Sequence, residues 1–207
     1  TSIAGGCAGS SNKWVALRNT PRNPLSDTLG LLTRQGPNPT PRTMQRVRRY
    51  DLEDDLARNR GELLAKLIKL DQEEPNRENI YAVAELSYVG AKRAERSKQT
   101  SEALELYSSA VLHAYRYLFD DHYSQKSSPY DPEFRRACDL YNSALEGMLR
   151  IVKGQGKLLP GSSQMIQTAN HECRLEVKLK SKSWHDKDFH DFKFDFSIKN
   201  IFNNNNF

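Results

Sequence analysis

Hydrolysis by a serine needs a hydroxyl on a strained strand-to-helix turn, flanked by glycines in the order G-x-S-x-G and served by a general base. The nearest approach in this chain is "PGSSQ" at 160–164, where Gly161 precedes Ser162 and Ser163. The second glycine is missing, and the stretch precedes the strand pattern that would have to carry it, so neither serine is expected to be a nucleophile. Histidine and carboxylate gather at His185, Asp186, Asp188 and His190. These are metal-ligating types, but their spacing follows no ligand pattern, and a polar loop between two strands accounts for the same letters. "KGQGK" at 153–157 has the glycines of a phosphate nest, yet it follows a helix instead of linking a strand to one. It reads as a helix C-cap and loop. No catalytic residue, metal ligand or cofactor site is therefore expected.

The three cysteines, Cys7, Cys138 and Cys173, lack a CxxC spacing, and their odd count leaves at least one unpaired. Cys138 falls within a helical repeat, where a thiol packs like alanine, and Cys173 begins an alternating strand pattern. Cys7 closes the small-residue run "TSIAGGC" and is followed by the polar "AGSSN". That arrangement is similar to the processing site of bacterial lipoproteins, with Ala4 where an aliphatic residue such as leucine is preferred. The resemblance implies export and a lipid on Cys7, against the plainer reading of a flexible tail. No stretch reaches the roughly 18 consecutive apolar residues of a spanning helix. A lipid at Cys7 is thus the expected membrane attachment, and without it the chain would be cytoplasmic.

Net charge is +5, but residues 1–50 carry eight bases and one acid while the remainder carries 23 bases and 25 acids. The basic character sits in a proline-, glycine- and threonine-rich stretch and not on a folded face with donors and aromatics beside it, so nucleic acid is not an expected partner. Five prolines between positions 21 and 41 forbid a long helix there. A short helix fits Ser26 to Leu32, stopped by Gly36-Pro37. Trp14, Val15, Leu17, Leu25, Leu29, Leu31 and Leu32 are too apolar for a free linker, which predicts a strap lying across the folded body.

Residues 51–70 place Leu52, Leu56, Leu63, Leu67 and Leu70 at helical spacing, with Leu64 and Ile68 widening the stripe and Gly61 weakening the middle. Further helices are expected over 78–96, 101–119 and 132–153, the last started by Asp131-Pro132. They share one pattern: Ala84, Tyr88, Ala91; then Ala103, Tyr107, Ala110; then Ala137, Tyr141, Ala144. Spacing of four then three sets these residues on one stripe, where alanines admit a neighbouring helix and tyrosine fills the adjacent gap. The last two copies lie 34 residues apart. The stripe is similar to the second helix of a tetratricopeptide repeat, whose period is the same. About one and a half units are present, short of the three a free solenoid usually needs. Tyr88, Tyr107 and Tyr141 are expected to be packing residues, or alternatively a surface for a protein partner.

Beyond 157 the period changes. Residues 172–181 alternate Leu175, Val177 and Leu179 with charges, and residues 192–198 alternate Phe192, Phe194, Phe196 and Ile198, the mark of half-buried strands. Two strands alone are marginal, so they read as the opening of a sheet domain, and "NIFNNNNF" as the end of a truncated or frame-disturbed reading frame. The order "WVALRNTPRNPLS", "RTMQRVRRYDL", "YAVAELSYVGAKRAE", "LLPG" and "HECRLEVKLKSKSWHDKDF" is similar to the N-terminal region of large exported bacterial α/β-hydrolases. The resemblance implies a leader and helical portion ahead of a lipase- or esterase-like domain whose serine nucleophile lies past residue 207.

The expected architecture is mainly α: a helical hairpin or bundle with tetratricopeptide-like packing, followed by a short antiparallel β segment that begins an incomplete α/β domain. Its parts are a leader and strap at 1–49, a helical domain at 50–156 and a β-containing start at 157–207. The expected function is that of a non-catalytic helical portion of an exported hydrolase, partnered by the downstream catalytic domain. The alternative is a helical scaffold that binds a protein.

Overall fold

The computed structural model describes residues 23–123, 132–155, 163–167 and 172–176. These residues are mainly helical, as expected. The helices are α1 (Pro41–Arg49), α2 (Glu53–Arg58), α3 (Arg60–Glu73), α4 (Arg77–Arg96), α5 (Thr100–Phe119) and α6 (Pro132–Gly154), with a single 3-10 turn at Asp121–Tyr123. Two short strands follow, β1 (Ser163–Gln167) and β2 (Glu172–Glu176), paired antiparallel with Ile166 opposite Cys173.

Helix α1, nine residues at the end of the stretch read as a strap, is a short helix that the sequence reading did not place. Pro41 occupies the first helical position, where its missing N–H costs nothing, and the Thr40 hydroxyl caps the Thr43 N–H. Residues 24–35 form turns instead of the short helix expected over Ser26–Leu32. Gly30 and Gly36 take positive φ of 58° and 85°, a conformation that closes the loop and that L side chains rarely adopt.

The single helix expected over 51–70 is two. It breaks at Asn59, whose φ of −146° and ψ of 91° are extended, and whose side chain caps the new helix by accepting from Glu62 N–H at 3.2 Å. An available cap therefore outcompetes continuation of the leucine stripe. Asn76 caps α4 in the same manner, accepting from Glu78 N–H at 2.9 Å. The three-residue link 97–99, with Lys98 at φ 60°, folds α5 back along α4.

Helix α4 is the axis of the molecule: every residue from Asn79 to Ala91 is buried. A helix enclosed on all sides needs small residues where neighbours approach, and Ala82, Ala84, Gly90 and Ala91 supply them. One flank of α4 meets α1 and α3 through Val83 and Leu86, packed with Val47, Leu63, Leu67 and Ile68. The other joins α5 and α6 in the larger core of Ala84, Tyr88, Ala91, Ala103, Tyr107, Ala110, Ala137, Leu140 and Ala144. Leu25, Leu29 and Leu31 of the strap are buried in that same core, so the hydrophobic interior runs continuously across positions 49 and 50.

Strand β2 begins where the alternation starts at Glu172, whereas the sequence reading places no strand over β1. The two strands pair because local hydrogen bonding and one apolar anchor suffice: Ile166 is buried in the helical core at 4% exposure while its neighbour Met165 is 53% exposed. The strand expected at 192–198 lies outside the described residues.

Candidate functional site

The Ala-Tyr-Ala stripe does not form one open surface. Tyr88 and Tyr107 are fully buried, both at 0% exposure, with ring centroids 5.9 Å apart at a tilted 59°. Such an offset pair adds modestly to the burial energy of two large side chains. Their hydroxyls leave the core at different edges. Tyr88 OH accepts from Asn23 Nδ2 at 2.9 Å, and Asn23 Oδ1 in turn accepts from Ser143 Oγ at 3.4 Å. Burial pushes the Tyr88 phenol up to about 12. Tyr107 OH donates to Glu95 Oε2 at 2.7 Å; burial first, and then this carboxylate, raise its pKa strongly.

Glu95 is the hub of a charged cluster at this end of the bundle. It receives Lys92 Nζ at 3.2 Å and Arg150 Nη2 at 2.7 Å in addition to Tyr107. Burial acts against its ionisation, yet the Tyr107 hydrogen bond and the two cations hold the carboxyl below its ordinary value. A depressed carboxylate beside an elevated phenol has neither a base nor an acid poised for transfer near neutral pH. The cluster ties α4, α5 and α6 together.

Tyr141, the third member of the stripe, is half-buried. Its ring meets Tyr115 at 6.3 Å, and Tyr115 meets the 58% exposed Phe119 at 4.9 Å, so an aromatic group lies on the outer side of α5 and α6. The repeat therefore divides: two tyrosines are interior and one is at the surface.

A Ser-Ser-His group also assembles between α4 and α5. Ser87 Oγ and Ser109 Oγ are 3.1 Å apart, and His113 Nδ1 lies 2.8 Å from the Ser109 carbonyl and 3.4 Å from its hydroxyl. The short carbonyl contact assigns the proton to Nδ1, so this nitrogen donates and cannot accept the serine proton. With all three residues buried, the group satisfies polar atoms between the two helices and does not build a nucleophile.

Glu85 is the least expected charged residue, at 1% exposure. Its carboxylate accepts the Thr40 N–H at 2.5 Å and the Thr40 hydroxyl at 3.1 Å, with Thr43 and Tyr81 beside it. It thus caps the start of α1 from inside α4, where helix N–H groups favour an anion. Burial outweighs these bonds and raises its pKa. Nearby, Arg42 joins Glu78 and Glu133 and lies 5.4 Å from the Tyr81 ring centroid; Tyr81 in turn pairs with Tyr117, over which Arg77 sits at 4.3 Å. None of these roles is legible from periodicity, because an acid or arginine spaced on an apolar stripe has no partner until helices from distant sequence meet.

The remaining sequence candidates are placed as follows. Cys7, Ser162, His171, His185, Asp186, Asp188 and His190 lie outside the described residues. Ser163 is exposed in β1 opposite Glu176. Cys138 is a free, half-buried thiol on α6 whose pKa burial raises, and exposed His122 pairs locally with Asp120. Among the described residues no three His, Cys, Asp or Glu side chains gather as metal ligands, and no helix is long and apolar enough to cross a membrane. Compared with known proteins, the chain matches no family model, no curated protein and no solved structure.

Proposed function

We propose that this chain is a non-catalytic helical portion of a larger exported, hydrolase-like protein, serving to hold a β-containing catalytic domain. The observation that supports this reading is Ile166. It inserts a residue of the β hairpin into the α4–α5–α6 core, so the helical body already carries the first β structure that follows it. The polar clusters described above are consistent with a structural role, since each is either buried or internally paired. The hydrolase identity and the location of the nucleophile past residue 207 rest on the sequence resemblance. Export, with a lipid on Cys7, belongs to the same reading.

The test uses an antibody to residues 41–155 and a fluorophosphonate probe for reactive serines on the native source. The expected result is a band well above 23.7 kDa that carries the probe, and no labelling of the 207-residue chain by itself. A native band of 23.7 kDa, or serine labelling of the isolated chain, removes the reading. Mass spectrometry of the membrane fraction decides the lipid, with an unmodified Cys7 there counting against it.

A second reading, a scaffold for a protein partner, draws on the Tyr115–Phe119–Tyr141 aromatic group. Loss of a co-purifying partner on changing Phe119 and Tyr141 to alanine, with unchanged helical content, would favour it over the first.

A further inference from the structure

We draw no further inference here: the strongest candidate, the aromatic patch of Tyr115, Phe119 and Tyr141 on the outer side of α5 and α6, carries nothing, because nothing among the described residues shows what covers it.

Discussion

The ring of Tyr107 lies against the backbone of Gly147: a Cβ built on that glycine would meet ring atoms at 2.6 Å. Real Cβ contacts do not come so close, so α5 and α6 take their present separation only because position 147 has no side chain. The tyrosine cannot retreat, since its hydroxyl is held by Glu95 on α4.

Gly147→Ala is accordingly expected to destabilise the chain by about 1–3 kcal/mol through overpacking, despite alanine's better helix propensity of ~1 kcal/mol. Combining it with Tyr107→Leu should recover part of that loss. Urea denaturation of the two single variants and the double variant measures the coupling; simple additivity would show that the ring and the glycine do not constrain each other.

The buried carboxyl of Glu85 predicts a specific pH dependence. Its folded-state pKa is raised above 4.5, so its favourable contribution is complete below that value and is lost as pH rises through the raised one. A glutamine in its place cannot ionise but still accepts the Thr40 N–H. The stability of Glu85→Gln relative to wild type should therefore increase from about pH 4.5 upward. Thr40, Thr43 and Tyr81 face the group directly, with Arg42 and Arg136 acting on Tyr81; the threonines do not titrate, and the Tyr81 phenol, raised by burial and by Glu85, stays protonated over this range. A pH-independent difference in urea midpoint contradicts this assignment.

Five of the nine tyrosines, Tyr81, Tyr88, Tyr107, Tyr117 and Tyr123, have raised pKa values with burial as the first cause. In a titration followed by absorbance near 295 nm, these five phenols are therefore expected to ionise only together with loss of helical circular dichroism. A single reversible stage involving all nine, with the helices intact, would contradict the burial described here.

Arg42→Ala is expected to cost about 1–3 kcal/mol, more than a surface ion pair, because it removes a half-buried charge hydrogen-bonded to Glu78 and leaves that carboxylate without its partner. Arg48→Ala should change stability by less than about 0.5 kcal/mol, since its bond to Glu53 is exposed at both ends. Similar effects from the two substitutions, measured by thermal denaturation, would show that burial does not separate them.

Much of the helical architecture is written locally. The leucine stripe of 60–73, the Asn76 cap, the Pro132 start and the shared Ala-Tyr-Ala spacing each follow from residues within a few turns of one another, and α3 to α6 form where those signals are. Local rules also underweight some signals: Pro41 begins α1, and Asn59 ends one helix and caps another within the leucine stripe.

The polar interior was decided by the tertiary structure. Identical spacing made Tyr88, Tyr107 and Tyr141 look equivalent, yet only α4 and α5 are enclosed enough to bury theirs, while Tyr141 lies on the outer helix. Glu85 capping Thr40 from 45 residues away, and Arg96 reaching Leu31 O across 65, depend on which helices become neighbours. Periodicity specifies the face a residue occupies on its own helix; the partner on that face is set by how several helices share one buried axis.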